Sequence, residues 1–134
     1  MNECKPVSTA RRRIDIYFRR NGKIEITSRV AWALSMNVGD VLNVIQSGTE
    51  YYLYVSRRAE DIRCTMARYP HAVKQRHRGC NTFYCNAVDI TRFINGITGS
   101  IESHLYVGSA KEMIVEGSPR TVLPLIVANN QFKS

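Results

Sequence analysis

Long apolar runs are absent from the 134 residues. None approaches the roughly 18 residues that a helical membrane span requires, so such a span is excluded. Acidic side chains are scarce, 11 against 19 Lys and Arg, which leaves a net charge of +8. Cysteine is limited to Cys4, Cys64, Cys80 and Cys85. The opening Met1-Asn2-Glu3-Cys4-Lys5-Pro6 puts an acid and a base where an export signal needs an apolar core, and Arg11, Arg12 and Arg13 follow. The chain is therefore expected to be cytoplasmic, with free thiols rather than disulfides. No Gly-rich phosphate loop, Ser-His-Asp order or paired-carboxylate signature occurs, so neither enzyme activity nor a cofactor is expected. What is present, 44% hydrophobic and 22% charged residues at a mean hydropathy of -0.25, excludes a disordered chain or a fibre. A chain of this length can bury a core without metal or disulfide, and residues 1–134 are read as one domain.

The positive charge is unevenly spread. Residues 1–80 hold 15 basic and 7 acidic residues, whereas residues 81–134 hold 4 of each. Such asymmetry favours a polyanionic partner, nucleic acid above all. Metal ligation could be sought only at His71, His77, Cys80 and Cys85. The gap between Cys80 and Cys85 lacks the tight knuckle of a zinc site, and Cys85 falls in a strand-like segment, so no metal is expected. His104 stands alone in a strand pattern, as a packed or surface histidine does, and Asp40 after Gly39 suits a turn residue that accepts from backbone N–H groups.

Period-two alternation of Ile14, Ile16 and Phe18 predicts a strand over 13–18, and the Asn21-Gly22 turn leads into a second strand over 23–27. From Ser28, read as the N-cap, Val30, Ala33 and Leu34 recur at helical spacing for about two turns before Gly39-Asp40. Segments 41–46 and 51–55 read as a hairpin. Residues 58–80 form a basic connector, with a short helix over 59–69. Strands then return at 82–86, 100–107, 111–116 and 121–127, with a helix over 88–95.

A shift of sixty positions places Val30 on Ile90, Leu34 on Ile94, Gly39 on Gly99, Val41 on Ile101 and Tyr54 on Ile114. This predicts a mainly β fold with short helices (α+β): a small barrel of two βαββ repeats, about 13–57 and 81–128, related by pseudo-two-fold symmetry. Closing the halves on each other would bury Ile24, Ile26, Val30, Leu34, Val41, Ile90, Ile94 and Ile101 in one core and remove sheet edges.

Gly22-Lys23-Ile24-Glu25-Ile26-Thr27-Ser28-Arg29-Val30, then Leu34 and Val38-Gly39-Asp40-Val41-Leu42, resembles the AbrB/MazE family of swapped-hairpin barrels. The likeness covers 13–57 directly. It implies a cytoplasmic DNA-binding regulator or antitoxin, with basic side chains set against the duplex. Lys23 matches the family's basic residue after the turn glycine, and Arg13 lies where the family also reaches phosphate. The family's proline is Thr27 here, and its two consecutive bases are Ala31 and Trp32, with Arg92 aligned to Trp32 in the second half. The candidate nucleic-acid contacts are therefore Arg11, Arg12, Arg13, Arg19, Arg20 and Lys23, with Arg57 and Arg58 from the connector and Arg92. DNA is favoured over RNA as the partner, and a homodimer is compatible with the family. The other reading is a protein-interaction or assembly module that does not bind nucleic acid. Trp32, at the edge of the apolar stripe, is expected to be partly exposed and to serve a partner or subunit interface.

Overall fold

The structure is a computed structural model, and it describes residues 14–57, 73–75 and 82–127. Nine strands and two helices are found there: β1 (Ile16–Phe18), β2 (Lys23–Ile26), α1 (Ser28–Ala33), β3 (Val41–Ser47), β4 (Glu50–Ser56), β5 (Lys74–Gln75), β6 (Phe83–Asn86), α2 (Val88–Thr98), β7 (Ser103–Val107), β8 (Lys111–Val115) and β9 (Ser118–Ile126). The fold is mainly β, as expected. The segment expected to be only a connector contains β5, and the last strand begins earlier than the reading from 121. The helix expected over 59–69 lies outside the described residues. Neither helix is long and apolar enough to cross a membrane.

Alternation explains the first hairpin. Ile16, Phe18, Ile24 and Ile26 point into the core, while Tyr17 and Glu25 share the opposite face. Gly22 turns the chain with φ 94°, and a Cβ there would lie 2.6 Å from Val88 Cγ2, so the turn needs glycine for both conformation and space. Strand β1 then pairs with β7, β2 with β6 and β4 with β9, all antiparallel, giving the order β3-β4-β9-β7-β1-β2-β6-β5 with β8 on β9. Each of those three pairings joins the first half of the chain to the second. Neither half can complete its sheet alone. The sheet curls into a half-barrel, and its two ends are tied where Gly39 N–H donates to Val73 O (3.0 Å) and Val73 N–H donates to Asp40 O (2.9 Å). Between Val107↔Leu125 and Lys111↔Val122, four steps on one strand oppose three on the other, so β7 and β8 are one strand interrupted by a bulge. Gly108 sits in it, where a Cβ would meet Pro124 Cγ at 2.8 Å.

Helix α1 is short because it is closed by a left-handed residue. Ser35 has φ 51°, Ser35 N–H donates to Trp32 O and Met36 N–H to Ala31 O, which is a Schellman cap made without glycine. Its N-cap is Thr27 and not Ser28, and the Thr27 hydroxyl donates to Asp15 O (2.7 Å) instead of capping. Two buried carboxylates lock the joints. Asp15 accepts from Val107 N–H (2.8 Å) and pairs with Arg29 Nε (3.3 Å), linking β1, β7 and α1. Asp40 accepts from Asn37 N–H (2.8 Å), as a turn acid should, and also pairs with Arg57.

The main core joins Ile16, Phe18, Ile24, Ile26, Val30, Leu34, Leu42, Leu53, Phe83, Ile94, Leu105 and Leu123 from both halves. Val41 is also buried, and Ile90 packs on this core while half-buried. Ile101 is the exception: it is 68% exposed in the loop before β7, so it is not a core residue. The shift of sixty fits the starts of β2 and β6 and of α1 and α2, and it maps buried Ala31 and Leu34 onto buried Thr91 and Ile94. Within the strands it fails by one residue. Ile26 would fall on exposed Asn86, whereas the observed register puts Ile24 beside Cys85 and Ile26 beside Phe83. A one-residue slip turns every side chain to the other face. Beyond α2 the longer, bulged strand moves the hairpin turn, and buried Tyr54 has exposed Ile114 as its sixty-shifted counterpart.

Candidate nucleic-acid interface

The β1–β2 hairpin brings Arg19, Arg20 and Lys23 to one end of the sheet. Helix α2 begins there: Val88 abuts Gly22, Ala87 N–H donates to Gly22 O (2.8 Å), and Arg92 lies one turn further along the helix. The structure thus gathers three of the expected contacts on one hairpin, with Arg92 on the helix that packs against its tip. Arg20 and Arg92 are exposed, and neither side chain has a carboxylate partner among the described residues. Lys23 holds its Nζ 4.7 Å from the Tyr84 ring centroid, a cation–π contact that orients the ammonium without neutralising it.

Arg19 is differently placed. It lies over the Tyr17 ring (4.6 Å), binds Glu25 through Nη2 (3.1 Å) and Nε (3.3 Å), and approaches Glu102 (3.6 Å). Hydrogen bonding to Glu25, with Glu102 adding, raises its pKa above the ordinary arginine value. The same cluster includes His104, whose ring meets Tyr17 edge-on at 5.0 Å and whose Nε2 lies 3.5 Å from Arg19 Nη1. Glu102 accepts from Arg20 N–H (3.1 Å), and that bond, helped by Arg19, lowers its pKa.

Strand register extends this cluster across the sheet. His104 lies opposite Tyr17, Tyr17 opposite Glu25, Glu25 opposite Tyr84, and Tyr84 opposite Lys74, one row over β7, β1, β2, β6 and β5. Tyr17 and Tyr84 were not singled out by sequence. Their signal was their position, each one residue away from a buried aliphatic or aromatic neighbour in a two-residue period.

Arg57 belongs to another place. It donates to Ser35 O (3.1 Å) and pairs with buried Asp40, which ties the end of β4 to the loop after α1. Arg11, Arg12, Arg13 and Arg58 lie outside the described residues, as do His71, His77 and Cys80. The described residues carry nine Lys and Arg against eight Asp and Glu, so most of the net +8 belongs to sequence outside them. Cys85 is a fully buried free thiol between strands, and burial, with Asp89 adding, pushes its pKa up to about 12. A thiol so protonated is neither a nucleophile nor a ready metal ligand.

No protein-family model, curated protein or solved structure matches the chain.

Proposed function

We propose that the protein binds nucleic acid, duplex DNA in preference to RNA, as a cytoplasmic transcriptional regulator of the AbrB-like type. The observation that carries this reading is the hairpin end, where Arg20 and Lys23 from the hairpin and Arg92 from the adjoining helix keep cationic groups free of carboxylates among the described residues. Three cations of this kind suit backbone phosphates, which position a protein on the duplex without reading sequence. Arg11, Arg12 and Arg13 precede β1 in the chain and add charge of the same sign. Arg19, held by Glu25 and Glu102, contributes by orienting Tyr17 and the turn.

The finer architecture belongs to the same proposal: two βαββ halves related by a pseudo-two-fold through the β2–β6 pair. Its support is that the paired strands β2 and β6 each lead directly into a helix, and that buried Ala31 of α1 and Leu34 at its C-cap correspond to buried Thr91 and Ile94 of α2. One chain then supplies both halves of what the family builds from two.

The test is binding of a labelled DNA duplex by the full chain at low salt, measured by fluorescence anisotropy. Arg20→Ala, Lys23→Ala and Arg92→Ala should each weaken binding by about threefold to tenfold on all sequences, as loss of a phosphate contact does. Unchanged affinity in all three variants would reject this interface.

A further inference from the structure

A second surface stands apart from the basic end. Trp32, the only tryptophan, is 88% exposed on α1, and Val38 in the following loop is 59% exposed. They flank a groove of about 1100 Å³ whose apolar wall is made by Ala31, Met36 and Phe83. The surface is also held rigid. The Schellman cap at Ser35 fixes the end of α1, Arg57 donates to Ser35 O, and buried Asp40 accepts from Asn37 N–H. Exposed apolar groups on a pre-formed frame cost hydration in the free protein and lose no chain entropy when covered, the combination that favours association.

Charge selects the occupant. Arg29 is the one ionised side chain among the described residues that line the groove, and no described carboxylate lines it. Its Nε engages Asp15 while the side chain remains 56% exposed, which leaves it accessible to a second carboxylate. We infer that this face docks an acidic peptide segment of a partner protein, an apolar side chain of the segment packing beside Trp32 and a neighbouring carboxylate taking Arg29. A basic segment finds no accessible acid among the described lining, because the nearby carboxylate, Asp15, is buried and already paired. A nucleic acid would need several cations, and the described wall offers one.

Trp32 supplies its own signal. Titrating the full chain with a short peptide that alternates Glu with Leu and Phe should shift the tryptophan emission to the blue, saturably. The Lys-for-Glu version of that peptide and an oligothymidylate should not. Arg29→Gln, which keeps an N–H donor for Asp15, should weaken binding of the labelled acidic peptide by about tenfold with circular dichroism and duplex DNA binding unchanged. Trp32→Ala should abolish it, with circular dichroism unchanged and duplex DNA binding retained, so this inference and the DNA reading fail separately. Equal binding of the Lys peptide, a saturable response to oligothymidylate, or no response to the acidic peptide would overturn the proposal. So would an emission shift that grows with protein concentration alone, which would give the face to a second copy of the chain.

Discussion

Arg57 and Arg20 are alike in sequence and unlike in role, and the difference lies in what each leaves behind when removed. Asp40 is only 4% exposed and accepts from Asn37 N–H and Arg57. Arg57→Ala strands that buried carboxylate and should cost about 2–3 kcal/mol, less than a fully buried pair because Arg57 itself is partly solvated. Arg20→Ala should change stability by less than about 0.5 kcal/mol, as exposed substitutions do. Urea denaturation of both variants checks the contrast. Cys85 makes the second residue-scale prediction. Its thiol is raised in the fold, so the folded chain holds a proton that the unfolded chain releases at lower pH. The stability this contributes is whole below about pH 9 and declines as pH rises toward about 12, by at most about 1.4 kcal/mol per pH unit. The difference between wild type and Cys85→Ala across that range measures it. At pH 8, peptide-level alkylation should leave Cys85 unmodified until denaturant is added.

At the scale of elements, close approach governs. Gly22 has φ 94° and would place a Cβ against Val88, so Gly22→Ala should cost about 2–4 kcal/mol and loosen α2 from the hairpin. Thermal unfolding reports the loss, and a neutral outcome would mean that the helix can slide away freely. Most of these elements are legible in the chain: Asn21-Gly22 marks the turn, Ile16, Phe18, Ile24 and Ile26 mark the faces, and α2 begins at Val88 as expected but runs past 95 to Thr98, where Gly99 at φ 76° ends it. The cap at Ser35 is not, because a serine at positive φ carries no glycine signal and is held there by contacts made far away in sequence. The bulge at Gly108 likewise hides the continuity of β7 and β8, and α2, running on to Thr98, delays the next strand to Ser103 and leaves Ile101 in the loop before it. Strand β5 is too short for any periodicity to reveal.

For the whole molecule, what sequence could convey was that the two halves must close on each other, because apolar faces in short strands remain wet otherwise. Which strands interleave, β1 between β2 and β7 and β4 against β9, depends on register, and register is a property of pairs. The site was legible to a similar degree. Lys23 and Arg20 are signalled by the turn they flank, whereas Tyr84 beneath Lys23 and Glu102 beside Arg19 lie far along the chain. The central claim is that the hairpin end meets phosphates, and the salt dependence of duplex binding tests it most directly. Each phosphate contact releases counterions, so the logarithm of affinity should fall linearly with the logarithm of salt concentration, and Lys23→Ala and Arg20→Ala should each flatten the slope by about 0.9. Slopes that stay the same in both variants, or no binding to duplex at low salt, would contradict the account.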